Sequence, residues 1–339
     1  MRAAIFYEHG GVEKLAVEEV PDPECGADDA VIEIGAASLN GFDPMILGGT
    51  TSLKTPLPMI PCGDFAGTIV ELGARVRGDW SVGDRVCPHP FVFGEGMTGE
   101  TRQGVAAQYA RIPAMNLIAT PDGVSDVEAA ALPIAYGTAY RMMYTRGAVK
   151  AGETVLILGA TGGVGTCCVQ LAKAVGATVI ATGSADWKLE KLKELGADHV
   201  VNTQTDDWVE KVHELCGKPR LLAGGGVDVV INYIGGETWA RSLKCLKANG
   251  RMLTCGASAG YHPQTDMRFI WTYEQTILGS NGWSPQDQID VLTLVEQRKL
   301  LPVIHATRPL EDIAESMQEL IDRKVVGKSI MVPTAQGAL

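Results

Sequence analysis

"ILGATGGVG", Ile157 to Gly165, sets four glycines in seven positions between an apolar run and the helically spaced segment "TCCVQLAKAVGA". A strand that ends in glycines and turns into a helix is a phosphate-binding device. Residues without a Cβ let the chain turn tightly and let a pyrophosphate approach the backbone, while the helix start offers N–H groups and a partial positive charge. Here Gly159, Thr161, Gly162, Gly163, Val164 and Gly165 form that turn. The spacing is GxxGGxG and no Gly-Lys-Ser/Thr follows, so a dinucleotide is predicted and a nucleoside triphosphate is not.

The surroundings of this turn alternate. Strands "TVLIL", "TVIAT", "HVVN", "VDVVIN", "RMLTCG" and "TILGS" follow one another, with helices such as "ADWKLEKLKELG" and "DDWVEKVHELC" between the first five. Apolar strands alternating with amphipathic helices predict right-handed βαβ units and a parallel sheet covered on both faces. The preceding ~120 residues read differently, as short strands ("RAAIFY", "AVIEIGAASL", "FAGTIVELG") broken by turns. A helical stretch with a proline near its middle, "SDVEAAALPIAYGTAYRMMYT", leads into the α/β part. The fold class predicted is therefore α/β, a Rossmann doubly wound parallel sheet at 121–280. It is inserted in a β-rich part made of 1–120 and 281–339.

Composition bounds the rest. A chain of 339 residues, 46% hydrophobic and 20% charged, is long enough for two ordinary domains. The formal charge of −11 argues against nucleic acid as a partner, and no apolar stretch reaches the ~18 residues of a membrane span. "MRAAIFYEHGG" has too short an apolar run for a signal peptide. Eight cysteines without a CxxC pair read as reduced thiols, so a cytoplasmic location is expected.

The second strand, "TVIATGSADWK", selects the dinucleotide. NAD sites usually end this strand in Asp or Glu to hold the ribose 2′-hydroxyl. Gly183 stands there instead, with Ser184 beside it and Lys188 four residues beyond Ser184. A hydroxyl and an ammonium suit a 2′-phosphate, so the expected cofactor is NADPH. Asp186 competes for the role but is expected to cap the next helix.

These motifs, together with "LKELGADHVVN", "VDVVINYIGG", "GRMLTCGASAG", "SLNGFDPM", "CGDFAGTIVELG" and "VGKSIMVP", resemble the medium-chain dehydrogenase/reductase superfamily, and within it the zinc-independent quinone-oxidoreductase group. The resemblance covers nearly the whole chain and implies a GroES-like lobe around the Rossmann unit. Where zinc alcohol dehydrogenases carry a Cys, a His–Glu pair and a second Cys, this chain has Asn40, Gly63, Asp64 and Ile134. One carboxylate remains where three or four ligands are needed, so no metal is expected. An alternative site from Cys62, Cys87 and His89 competes with buried thiols and a solvent-facing loop histidine. Hydride transfer to a quinone or an α,β-unsaturated carbonyl is the implied reaction, on a small-molecule substrate.

The resemblance also assigns roles. Asn40, Asp64 and Tyr136 are the candidate catalytic residues. Asn40 would donate to the substrate carbonyl or simply form a turn; Asp64 has local backbone binding as its rival role. Tyr136 would donate a proton or fill core, Asp43 would cap a helix, and Arg141 would pair with a carboxylate. Thr138, Asn232, Gly235, Cys255, Gly256, Ala257, Ser280, Asn281 and Gly282 would meet the nicotinamide. "MRFIWTYEQTILGSNGW" resembles enoyl-thioester reductases, with Arg268 available to a phosphate or an aromatic. Acyl-CoA enoyl reduction, zinc-type alcohol dehydrogenation and a non-enzymatic crystallin-like role stay open, and a homodimer or dimer-based tetramer is implied through the edge strand "TILGS".

Overall fold

Six strands form one parallel sheet: β1 (Thr154–Ile157), β2 (Thr178–Gly183), β3 (His199–Asn202), β4 (Val227–Ile231), β5 (Leu246–Thr254) and β6 (Thr276–Gly279). Their spatial order is β3-β2-β1-β4-β5-β6. The order reverses between β1 and β4, where doubly wound sheets take their ligands. Val155, Leu156 and Ile157 on β1, and Val229, Val230 and Ile231 on β4, are all fully buried. Central strands covered on both faces must be apolar throughout, and these are.

The crossovers are α1 (Gly163–Ala174), α2 (Asp186–Glu194), α3 (Trp208–Cys216) and α4 (Glu237–Leu243). Cys167, Cys168, Leu171 and Ala172 bury one side of α1, so the paired cysteines pack as small apolar residues. Asp207 starts α3 by accepting the Val209 N–H at 2.9 Å.

The computed structural model describes residues 1–333. This sheet belongs to one compact unit, Gly137–Ser284; the other comprises Met1–Tyr136 and the chain from Pro285 onward. The expectation drew these borders at 120/121 and 280/281. The first lies later because the helix Asp126–Ala130 packs on strands Asp29–Ser38 and Asp64–Leu72. A capping box, Ser125 with Glu128, fixes the start of that helix. The expected proline-containing helix is interrupted: π turns at Pro133–Gly137 and Arg141–Arg146 flank a short α segment, Thr138–Tyr140. Proline supplies no N–H and crowds the preceding turn, which accounts for the break at 133.

In the second unit, Asp29–Ser38 is the hub. It pairs antiparallel with Asp64–Leu72, Tyr109–Pro113 and Lys328–Val332. Ile330 lies opposite Ser38, so the C-terminal strand closes a sheet begun by N-terminal residues. Phe6, Ile32, Ile34, Phe65, Ile69 and Met331 fill its core. Among the described residues, no helix is long and apolar enough to cross a membrane.

Candidate active site

The glycine turn has the shape its sequence requires. Gly159 takes φ +65°, which an L side chain adopts with strain, and its carbonyl accepts the Tyr233 hydroxyl at 2.7 Å. A Cβ on Gly165 would sit 2.5 Å from the Ala160 Cα and 2.6 Å from the Gly159 oxygen. No side chain caps α1, whose N-cap is Gly162, so its first N–H groups are offered outward as a pyrophosphate needs.

At the end of β2, a Cβ on Gly183 would meet Leu189 Cδ2 at 2.9 Å and Thr161 Cγ2 at 3.2 Å. These neighbours are side-chain ends that can shift, so the glycine leaves room at this position and carries no carboxylate. Ser184 is half-buried. Lys188 is 4% exposed, with its ammonium 5.3 Å from the Trp187 ring centroid, so it is no solvated helix-face lysine. Asp186 does not cap α2 as expected. Ala185 holds the N-cap position, and Asp186 Oδ1 accepts the Asn202 amide N–H at 2.7 Å. A partner on the neighbouring strand outcompetes the local backbone.

The loops at the ends of β4, β5 and β6 line an open cleft of about 880 Å³. Gly235, Cys255, Gly256, Ala257, Ser280 and Asn281 line it, which brings together six of the residues assigned to the nicotinamide. Arg141, Arg146 and Tyr261 contribute further wall. Ser280 Oγ is buried there without a hydrogen-bond partner, an orphan that a ligand would satisfy. Asn232 is spent elsewhere. Its Oδ1 accepts the Ile234 and Gly235 N–H groups at 3.0 Å each, and its Nδ2 donates to Ser242 Oγ at 2.9 Å, so it shapes the loop from beneath. Thr138 and Gly282 lie outside the cavity lining. Arg268 pairs with Asp266 at 2.7 Å. Open helix N–H groups, a cradle closed to Cβ atoms and an orphan hydroxyl together fit a nicotinamide dinucleotide.

The other unit carries a buried polar cluster. Asn40 Nδ2 donates to Asp64 Oδ2 at 2.9 Å, and Lys328 Nζ donates to Asn40 Oδ1 at 2.5 Å and to Asp64 Oδ2 at 3.3 Å. Asp64 Oδ1 accepts the Ile134 N–H at 2.9 Å. Burial pushes the Asp64 carboxyl above its ordinary range, and the Lys328 charge opposes that rise. Asp43 was expected as a helix cap, but Phe42 is the N-cap of Asp43–Leu47. Asp43 Oδ2 instead accepts the Asn40 backbone N–H at 2.6 Å, and its Oδ1 has no partner. Burial raises its pKa to about 7.

These residues do not suit a catalytic zinc. Asp64 already accepts from Lys328, Asn40 and the Ile134 backbone. A Cβ on Gly63 would stand 2.5 Å from the Thr98 carbonyl oxygen and 2.9 Å from Ile134 Cδ1, so a histidine there would collide. His89 is buried, contrary to the solvent-facing expectation, with its Nδ1 accepting the Phe91 N–H at 3.3 Å. Cys87 Sγ donates to the Ala129 carbonyl at 3.3 Å. Among the described residues, no group of three His, Cys, Asp or Glu side chains could hold a metal ion. Tyr136 is fully buried and its hydroxyl accepts the Val303 N–H at 2.8 Å, which gives it an anchoring part in the core. Lys328 escaped the sequence reading although "VGKSIMVP" was singled out; its only signal is a lysine opening an otherwise apolar strand.

Comparison with known proteins agrees with this architecture. Residues 26–122 match the family described as alcohol dehydrogenase GroES-like domain, and residues 163–297 match zinc-binding dehydrogenase. Acryloyl-coenzyme A reductase of Sulfurisphaera tokodaii is 30% identical, over 94% of this chain and 96% of its own. Human quinone oxidoreductase is 29% identical over 98% of each chain. A crystal structure of an NAD-dependent alcohol dehydrogenase superimposes with a TM-score of 0.90 at 33% identity, covering 98% of this chain and all of the other.

Proposed function

The chain belongs to the medium-chain dehydrogenase/reductase superfamily and is an oxidoreductase, and from that premise we propose a zinc-independent reductase that uses NADPH to reduce a quinone or an α,β-unsaturated carbonyl compound. The observation that carries the reading is the Asn40–Asp64–Lys328 cluster, which occupies the place of a metal donor set with a hydrogen-bond donor held ready. A catalytic zinc needs thiolate or imidazole ligands, and Asn40, Gly63 and Ile134 supply neither.

The reduced nicotinamide, when bound, supplies the hydride. The protein's share is binding, orientation and charge stabilisation. The turn Gly159–Gly165 and the start of α1 hold the pyrophosphate. Ser184 and Lys188 take the 2′-phosphate, and Gly183 carries no carboxylate to repel it. Gly235, Cys255 to Ala257, Ser280 and Asn281 take the nicotinamide end. Asn40 Nδ2 donates to the acceptor oxygen as negative charge develops on it, a preorganised donor in a buried place. An acceptor already activated by conjugation asks for no Lewis acid.

The test follows NADPH absorbance with a quinone, a simple enone, crotonyl-CoA and an aldehyde, alongside metal analysis of the purified protein. Preference for the quinone or enone with substoichiometric zinc is expected. Preference for the aldehyde with one zinc per chain overturns the reading. Crotonyl-CoA as the best acceptor favours the second reading, an enoyl-thioester reductase, for which Arg141 and Arg146 beside the cavity are two guanidinium groups suited to phosphates. A homodimer joined through the open edge at β6 belongs to the proposal, and light scattering measures it.

A further inference from the structure

We infer that Lys328 is a positioning residue for this reaction: its buried ammonium fixes the orientation of the Asn40 carboxamide, so that a substrate meets only its N–H side. The inference rests on the proposed role of Asn40 as donor to the acceptor oxygen.

The three side chains close a ring. Lys328 Nζ donates to Asn40 Oδ1 at 2.5 Å and to Asp64 Oδ2 at 3.3 Å, and Asn40 Nδ2 donates to that same Asp64 oxygen at 2.9 Å. Exposures of 5%, 0% and 2% for Asn40, Asp64 and Lys328 leave little water to substitute for any of these bonds. An ammonium only donates and an ionised carboxylate only accepts, so one of the two amide orientations satisfies both neighbours. The flipped amide would face its NH₂ to the ammonium and its oxygen to the carboxylate. Both contacts would turn repulsive in a low-dielectric place, where unpaired polar groups are most costly. The main chain is held as well, because the Asn40 N–H donates to Asp43 Oδ2 at 2.6 Å.

Two consequences follow for chemistry. Asn40 has two Nδ2 hydrogens; Asp64 takes one, and in the proposed role the other goes to the acceptor oxygen. Its carbonyl oxygen, bonded by a cation, is polarised, and bonds in such a chain strengthen one another, so the remaining N–H becomes a better donor. The site therefore favours an oxygen that accepts, as in a ketone, quinone or thioester carbonyl, over a hydroxyl that must donate. A lysine 288 residues away in sequence thus sets the polarity of the substrate contact. The competing explanation is that Lys328 only neutralises Asp64 and holds the strand.

The experiment uses the full chain with NADPH and 2-cyclohexen-1-one, and compares N40A, K328Q, K328R, N40A/K328Q and D64N/K328Q. NADPH affinity is measured separately by fluorescence titration. Losing a preorganised donor costs about 10²-fold in kcat, so N40A should fall by about that much. K328Q should lose about tenfold in kcat with NADPH affinity unchanged, and K328R should recover most of it, because a guanidinium also only donates. In N40A the K328Q change should add nothing further, since Lys328 acts through the amide. The D64N/K328Q variant leaves no orphan charge and keeps groups that can bond either way. It tests orientation even if K328Q folds poorly, and it should lose at least as much kcat as K328Q. Native kcat in D64N/K328Q, or a K328Q loss that multiplies with that of N40A, overturns the inference while leaving the role of Asn40 intact. Native kcat in N40A removes that role and the inference with it.

Discussion

The Lys328 ammonium stands 3.3 Å from Asp64 Oδ2, with the two side chains 2% and 0% exposed. Removing one partner of such a pair leaves a buried charge uncompensated, at a cost of about 3–5 kcal/mol, whereas removing both can cost little. K328M should therefore lower unfolding free energy by about that amount in urea titration. D64N/K328M should lose less than half as much. Equal losses in the two variants would show that the lysine's packing, not its charge, matters.

Asp43 makes stability depend on pH. Its folded pKa is raised to about 7 by burial, against an ordinary carboxyl value of 3.8. Between these values the folded chain holds a proton that the unfolded chain releases, so this contribution is full below pH ~4 and lost as pH rises through about 7. The melting temperature should therefore fall across that window more steeply in the native chain than in D43N. A parallel pH profile for D43N would contradict the assignment.

Lys188 should discriminate between the two nicotinamide dinucleotides. Only NADPH carries the 2′-phosphate, and a charge-assisted bond to it contributes about 1.5–3 kcal/mol. K188A should weaken NADPH by roughly tenfold or more in fluorescence titration and leave NADH within about twofold. An equal loss for both would mean that the ammonium serves only to pack against Trp187.

Tyr136 separates an anchor from an acid. Its hydroxyl accepts the Val303 N–H at 2.8 Å. Y136F deletes that bond and should cost about 1 kcal/mol of stability. An anchoring role predicts kcat within about twofold of native. A general acid would instead cost about 10²–10⁴-fold.

Most of the architecture is legible in the sequence, for a physical reason. Strands covered on both faces must be continuously apolar, and runs such as "VDVVIN" between amphipathic helices leave few other arrangements. The glycine turn was legible because a residue with a side chain cannot occupy Gly159 or Gly165 without strain or collision. What escaped was long-range pairing of polar groups. Lys328 meets Asn40 and Asp64 only after the C-terminal strand joins Asp29–Ser38, and no local pattern announces it. Asp186 was misjudged for the same reason, since Asn202 reaches it from the next strand. Asn232 shows the opposite hazard: a polar residue at a strand end can be consumed by its own loop and the helix that follows.

The crowding around Gly63 acts as a ratchet. A histidine installed there would first need the Thr98 main chain displaced, because its Cβ alone lands 2.5 Å from that carbonyl oxygen. A change that helps only as the second of two cannot be selected as the first. Laboratory evolution toward a metal-dependent activity should thus explore the neighbourhood of residue 98 before residue 63 ever varies.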